Sequence, residues 1–359
     1  MTDEPYVAVA ETHTGAVLFM GDLAYKVKKP VALGFLDWTD RAERVKAIDT
    51  ELVLNRRLAP DVYLGTATLP RPDGEGEPVL VMRRLPSERR LSTVVRRGED
   101  VDAVLRQIAH QLAAFHVAAP ATDAARAAAS TRETRRRWEV NHEQLRPAFG
   151  RWVDAQVAEF VVKRACRYLD GRHALLDQRV AQGWARDGHG DLLADDVFCL
   201  DDGPRILDCL DFDEHLRVGD VLADVAFLAM DLERLGRGDL GWRFLELYRE
   251  MTADMWPASL AHHHVAYRAQ VRALVSCVRA DQGDESAGAQ AVELLALAAR
   301  HLAAGQVRLV MVGGSPGTGK STLASALGDR LKAPVLRSDE IRKELAGVPA
   351  GTSAAERGA

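Results

Sequence analysis

His189-Gly190-Asp191-Leu192-Leu193-Ala194-Asp195-Asp196-Val197-Phe198, followed by Ile206-Leu207-Asp208-Cys209-Leu210-Asp211-Phe212, decides how this chain reads. Between Asp187 and Asp224 acidic residues far outnumber Lys and Arg, which are confined to Arg205 and Arg217. Much of that acidity belongs to turns, and Asp201-Asp202-Gly203-Pro204 is one by composition. Asp191, Asp196 and Asp208 differ because each borders an apolar segment. Val197–Leu200 and Arg205–Leu207 read as the strands of a hairpin with Asp196 and Asp208 at its open end. That geometry brings two carboxylates together, and adjacent carboxylates call for a cation between them.

Working outward, composition bounds the rest. The 359 residues are 47% hydrophobic and 28% charged with a net charge of −5, enough for two domains with an ample core. No long basic block marks a nucleic-acid partner. Cys166, Cys199, Cys209 and Cys277 have neither metal spacing nor disulfide density, which fits a reduced, cytoplasmic setting. Met1-Thr2-Asp3-Glu4-Pro5 lacks the apolar core of a signal peptide, and no apolar run reaches the roughly 18 residues of a membrane span. A soluble protein is expected.

Upstream, Val17–Met20 and Ala24–Val27 form a hairpin turning at Gly21-Asp22. The strand period of two sets Lys26 and Lys28 on one face, Tyr25 and Val27 on the other. From Asp40 to Leu58, Val45, Ile48, Leu52 and Leu58 recur at helical spacing, and Glu51 lies inside that apolar arc. An inward carboxylate needs a partner. Pro78–Met82 reads as a buried strand running into Arg83-Arg84-Leu85-Pro86.

The middle and the closing third are helical. Val101, Val104, Leu105, Ile108, Leu112 and Phe115 mark an amphipathic helix, on which His110 and His116 are core or surface residues. Ala113 to Ala129 reads as a helix end plus a flexible connection. Arg132, Arg135, Arg136 and Arg137 read as a solvated helix face. Helices follow over Phe160–Tyr168, Leu175–Val180, Trp242–Tyr248, His262–Ala280 and Ala291–Ala304, with a loop from Asp281 to Gln290. His262-His263-His264 read as surface polarity, because neighbours on a helix cannot face one metal.

Five segments together resemble the aminoglycoside phosphotransferase family, which has a protein-kinase-like fold: Tyr25-Lys26-Val27-Lys28-Lys29-Pro30, Gly34-Phe35-Leu36-Asp37, Leu54-Asn55-Arg56-Arg57-Leu58-Ala59-Pro60, His189-Gly190-Asp191-Leu192, and Asp224-Val225-Ala226-Phe227-Leu228-Ala229-Met230-Asp231-Leu232. The resemblance covers about residue 10 to 300 and points to bacterial members fused to a P-loop domain. It implies an α+β bilobal kinase-like domain, with an N-terminal lobe over 1–86 and a helical lobe over 87–304. It implies an ATP-dependent phosphotransferase acting on a hydroxyl of a small molecule. Asp191 would be the base, Asp208 and Asp196 metal ligands, Lys26 paired with Glu51 the grip on the ATP phosphates, and Lys28 the fallback lysine. Met82 and Arg84 would sit at the adenine hinge, His189 would support the loop, and Asp224 would brace it from the following helix. Two departures stand out. Thr12-His13-Thr14-Gly15 is a weak substitute for a glycine-rich loop, and Asp196 occupies a position where this fold usually has an amide. An alternative is a nucleotide-binding regulatory or scaffold protein, or catalysis residing in the P-loop domain of a longer form.

That last part, 305–359, carries Gly314-Ser315-Pro316-Gly317-Thr318-Gly319-Lys320-Ser321, which matches the Walker A pattern. A strand over Val307–Val312 and a helix through Leu331 are expected around it. Backbone N–H groups would cradle phosphate, with Gly314, Gly317, Gly319, Lys320, Ser321 and Thr322 binding ATP and Ser321 also meeting Mg²⁺. Pro334–Arg337 reads as a second strand. The end at Asp339 and Arg342 resembles the substrate edge of polynucleotide-kinase-like P-loop enzymes. From Gly314 to Ala359 there is room for about one βαβ unit, so a partial, truncated P-loop or AAA-type domain is expected.

Overall fold

The computed structural model describes residues 5–11, 15–33, 36–70, 74, 76–315, 317–331 and 333–347. Its contacts divide the chain into Met1–Gln306 and Val307–Ala359.

The first unit begins with an antiparallel sheet. Strands β1 (Val7–Glu11), β2 (Gly15–Met20) and β3 (Leu23–Lys28) form a meander, the last two joined by a tight turn at Gly21-Asp22. The short strands β4 (Ala32–Leu33) and β5 (Leu36–Asp37) pair with each other. Helix α1 (Arg41–Asn55) starts where the Asp40 side chain accepts a hydrogen bond from the Ala42 N–H. Strands β6 (Tyr63–Leu69) and β7 (Glu77–Arg83) complete the sheet in the order β1-β2-β3-β7-β6. Lys26 pairs in register with Leu80, and Lys28 shares its face. Ile48, Glu51 and Asn55 occupy the buried side of α1, and Ile48 joins Ala59, Val62, Tyr63 and Leu80 in a small apolar core.

A larger lobe follows, made of α2 (Leu91–Arg96), α3 (Asp102–Ala118), α4 (Asp123–Ala128), α5 (Thr131–Leu145), α6 (Ala155–Asp170) and α7 (His173–Ala181). Strand β8 (Ala185–Asp187) leads into the acidic stretch. Strands β9 (Val197–Leu200) and β10 (Gly203–Ile206) form the expected hairpin, with Val197 opposite Ile206. A single helical turn, α8 (Glu214–Arg217), precedes β11 (Val218–Asp220), which pairs with β8. Helices α9 (Val221–Arg234), α10 (Gly238–Thr252), α11 (Ala258–Asp281) and α12 (Glu285–Ala304) close the lobe. Its core is continuous and centred on α9, whose residues from Val221 to Leu232 are buried apart from a half-buried Ala223. Trp138, Phe227, Phe244 and Tyr248 are fully buried in it. No helix among the described residues is long and apolar enough to cross a membrane.

Four expectations are corrected. The alanine-rich stretch to Ala129 contains α4, capped by the Thr122 hydroxyl accepting from Ala125 N–H; alanine's helix propensity prevails once Pro120 is passed. The loop expected over Asp281 to Gln290 shrinks, since α12 already starts at Glu285, buries Ala287 and sets Gly288 against Trp152. His263 and His264 are buried rather than surface residues, with His263 packed on Trp138 and Tyr168. Finally, residues 307–312 and 334–337 make no strand ladder.

The second unit, described by itself, contains α13 (Lys320–Leu331) and α14 (Ser338–Leu345). None of its described residues is buried, and Leu309 and Met311 are 82% and 87% exposed. A strand is stabilised by lateral hydrogen bonds and by cover on its faces. These segments form no ladder and bury no face among the described residues, which is why apolar composition alone does not make them strands. The tail from 348 lies outside the described residues, as do Thr12, His13, Thr14, Gly34, Phe35 and Pro316.

Candidate active site

The site is a chain of alternating charges between the sheet and the acidic hairpin. The Lys26 ammonium is 2.7 Å from Glu51 Oε1 and 2.7 Å from Asp208 Oδ1. Lys28 is 2.9 Å from Glu51 Oε2 and 2.6 Å from Asp211 Oδ2, with its ammonium 4.3 Å from the Trp38 ring centroid. Strand alternation places both lysines toward α1, so Glu51 takes one on each oxygen. Both contacts are ion pairs at hydrogen-bonding distance. Burial would lower the Lys26 pKa, but Asp208, Glu51, Tyr63 and Asp211 outweigh it and raise it well above the ordinary value. Burial likewise opposes ionisation of Glu51, and Lys26 and Lys28 reverse the sign and hold it low. Lys28 is thus buried in the structural half of the array, while Lys26 reaches the cleft.

Asp208 stands where β10 ends. Its backbone is left-handed, with φ +61°, and its N–H donates to the Tyr63 hydroxyl at 3.1 Å. A non-glycine residue in that conformation stores strain that the surroundings must hold. The Asp208 carboxylate is 54% exposed, and Lys26 keeps it below the usual carboxylate range. Asp196 lies across the hairpin mouth, its carbonyl accepting from Leu207 N–H at 2.9 Å. Burial raises the Asp196 pKa well above normal, and the neighbouring carboxylates of Asp208 and Asp191 add to that shift. A carboxylate destabilised by two others suits a cation. Among the described residues no group of three or more His, Cys, Asp or Glu could hold a metal by itself. Mg²⁺ is ordinarily held by one or two carboxylates plus substrate phosphates and water, so Asp196 and Asp208 fit a metal arriving with a nucleotide.

The loop bearing Asp191 is held by buried carboxylates from α9. Asp224 accepts from His189 N–H at 2.7 Å and Gly190 N–H at 2.8 Å. Asp231, two turns later on the same face, accepts from Ala194 N–H at 2.9 Å. Asp224 is itself bonded to His116 Nε2 at 3.0 Å, whose Nδ1 meets the Tyr248 hydroxyl at 2.8 Å. Burial opposes its ionisation, yet the His116 hydrogen bond and nearby cations keep its pKa well below normal. A Cβ at Gly188 would stand 2.7 Å from an Asp224 oxygen. At Gly190, φ is +87° and a Cβ would meet that of Leu210 at 3.0 Å, so both positions need glycine. His189 Nε2 meets the Leu207 carbonyl at 2.9 Å, tying this loop to the strand that delivers Asp208. Asp191 itself is half-buried. Burial raises its pKa, and Arg272 of α11, 3.8 Å away, opposes the rise.

At the expected hinge, Met82 packs with Leu85 and Leu207 against the small core. Arg84 does not present a spare backbone donor: its N–H goes to the Asp22 carbonyl, and its guanidinium to the Pro5 carbonyl and the face of Phe19.

In the second unit, Gly317 and Gly319 are left-handed, with φ of +77° and +81°, and lead into α13. Lys320 Nζ and Thr318 Oγ1 both donate to the Ser315 carbonyl. Ser321 and Thr322 are exposed on the first turn. Asp339 lies in the first turn of α14, and Arg342 bonds back to the Ser338 carbonyl.

Asp211, Asp231, His116 and Arg272 escape the sequence reading. Asp211 had a signal in its D-x-x-D spacing from Asp208. Asp231 had one too, as a second carboxylate seven residues from Asp224 on an otherwise apolar helix.

Comparison with known proteins places this architecture. The Mycobacterium tuberculosis (strain ATCC 25618 / H37Rv) protein named uncharacterized protein Rv2004c is 44% identical over 346 residues, covering 96% of this chain and 70% of the relative. The Mycobacterium bovis protein named uncharacterized protein Mb2027c matches with the same figures, 44% over 346 residues. The chain belongs to the family of these mycobacterial proteins. Among solved structures, a choline/ethanolamine kinase family protein from Mesorhizobium loti superposes with a TM-score of 0.51 at 15% identity, covering 84% of this chain and 92% of that one. Aminoglycoside 2'-phosphotransferase-IIIa, solved with GDP, gives 0.51 at 16%, covering 83% and 94%. The family member described here therefore has the fold of these small-molecule kinases, mixed α and β with a protein-kinase-like arrangement. Residues 309–358 match a family model described as an AAA domain.

Proposed function

We propose that residues 5–306 form an ATP-dependent phosphotransferase acting on a hydroxyl of a small molecule. The observation that carries this is the array Glu51–Lys26–Asp208, linked at 2.7 Å on each side of the lysine and facing Asp196 and the braced Asp191. Phosphoryl transfer asks the protein mainly for positioning and charge. Lys26, oriented by Glu51, is the ligand for the nucleotide phosphates, and it must exchange Asp208 for them when nucleotide enters. Asp191 takes the proton of the attacking hydroxyl, its raised pKa bringing it closer to the working pH of a base. Asp196 and Asp208 would hold Mg²⁺, which when bound supplies positive charge to the phosphates. Lys28 and Asp211 keep Glu51 in place from behind. Met82 and Leu207 offer an apolar surface suited to a base.

The second unit is proposed as an additional nucleotide-binding segment. The two left-handed glycines and the helix N-terminus after them support that reading. Asp339 and Arg342 are its proposed acceptor-side residues.

Calorimetry tests the metal assignment. Mg-ATP binding to unit 1, isolated by Lys320→Ala, should lose its metal dependence in Asp208→Ala and persist in Asp196→Asn. Binding unchanged by Asp208→Ala would refute it.

A further inference from the structure

Arg268 and Arg272 are one turn apart on the same side of α11. Arg268 is buried, with its guanidinium over Phe227 at 4.6 Å; it donates to the Ala223 carbonyl at 2.8 Å and reaches the Gly190 carbonyl at 3.4 Å. It therefore fixes α11 against the backbone of the loop that carries Asp191. Arg272, one turn on, brings a guanidinium nitrogen to 3.8 Å from Asp191 Oδ1. That distance is beyond a hydrogen bond, so the pair attracts without consuming the lone pair a base needs.

Among the described residues, the other cations around the cleft have carboxylate or carbonyl partners, and Lys26 is assigned to the nucleotide's own phosphates. Lys26 and Lys28 are held by Glu51, Asp208 and Asp211. Arg205 binds Asp61 and Asp202, and Arg57 and Arg217 both bind Asp187. Arg90 donates to the Asp195 carbonyl and lies on Phe198. The stretch from His189 to Pro204 contains no Lys or Arg of its own, so positive charge on the acceptor side of Asp191 must come from elsewhere in the fold.

We propose that Arg272 is a catalytic residue that binds the equatorial oxygens of the phosphoryl group during transfer. The inference rests on the phosphotransferase reading of the same cleft. In that step the acceptor oxygen forms a bond to the γ-phosphorus, and the bond from the γ-phosphorus to the β,γ-bridging oxygen breaks. The bond pair leaves with ADP, and the hydroxyl proton moves to Asp191. Arg272 keeps its charge throughout. An acceptor oxygen within about 3 Å of Asp191 and roughly 3–3.5 Å from phosphorus puts the phosphoryl oxygens one side-chain adjustment from Arg272. Its removal should also let the burial-driven rise in the Asp191 pKa proceed further, because Arg272 is the largest of the charges opposing it, ahead of His189 and Arg268.

The test needs no knowledge of the acceptor. The 359-residue protein carrying Lys320→Ala, which removes the lysine of the second unit's glycine-rich loop, is titrated with MgADP in the presence and absence of aluminium fluoride, a mimic of the phosphoryl group in flight. Fluoride should tighten MgADP binding on the order of 100-fold. Arg272→Gln should remove most of that gain while leaving MgADP alone unchanged, and Arg272→Lys should restore part of it. An equal gain with and without Arg272 overturns the proposal, as does no gain in the parent protein when MgADP binds. MgADP binding that ignores Lys26→Ala and Asp208→Ala overturns the underlying phosphotransferase reading instead.

Discussion

Two stretches of this chain carry nucleotide signatures, and they differ most in what stands behind them. The Walker A match from Gly314 to Ser321 is the stronger pattern in sequence, yet no described residue from 307 to 347 is buried and Lys320 rests on its own loop's carbonyl. The His189–Asp208 stretch matches a looser pattern but is propped from every side. Asp224 and Asp231 hold its backbone, His189 ties it to Leu207, and Lys26, itself paired with Glu51, meets the Asp208 carboxylate. Motif strength and physical support are separate quantities, and the second decides where chemistry is pre-organised.

The sharpest way to break this contrast is to remove a prop. Asp224→Ala leaves two loop N–H groups and the His116 ring without their acceptor, all buried. Unfolding in urea should show a loss of about 3–5 kcal/mol, with transfer activity lost as well. Lys320→Ala, on an exposed loop, should change stability by less than about 0.5 kcal/mol. Similar costs for the two would erase the distinction.

A smaller effect follows from acidity. Burial lowers the His263 and His264 pKa values to about 3 and about 4. Because the folded values lie below the unfolded one, the unfolded chain binds protons first. Stability is complete above roughly pH 6.5 and declines as pH falls toward the folded values, by at most about 1.4 kcal/mol per pH unit for each histidine. His264→Asn should flatten the slope of unfolding free energy against pH, and an unchanged slope would contradict this account. Smallest of all, Leu309→Ser in the second unit should stay within about 0.5 kcal/mol, since the side chain is already in water.

These contrasts track what the sequence could disclose. The β2–β3 hairpin, the inward Glu51, the shared face of Lys26 and Lys28 and the β9–β10 hairpin follow from local periodicity, which reports which side of an element is buried. Asp191, Asp196 and Asp208 were visible because each borders an apolar run, whereas Asp224 was visible only through the family resemblance. The partners supplied by distant segments were not. His116 meets Asp224 across 108 positions, and Arg272 lies on a helix far downstream of Asp191. Periodicity gives no information on which faces meet. The same blindness hid the burial of His263 and His264, since a polar residue on a helix reads as surface until a neighbouring helix covers it. It also made strands of residues 307–312 and 334–337, whose apolar character needs lateral partners to become a ladder.

The central claim is that phosphoryl transfer belongs to the first unit and passes through Asp191. The most direct measurement incubates wild type, Asp191→Ala and Lys320→Ala with Mg-ATP and a library of hydroxyl metabolites, and follows phosphorylated products by mass spectrometry. A product formed by wild type and Lys320→Ala, and reduced at least about 100-fold by Asp191→Ala, is the expected result. Product formation that survives Asp191→Ala and disappears with Lys320→Ala would contradict the account.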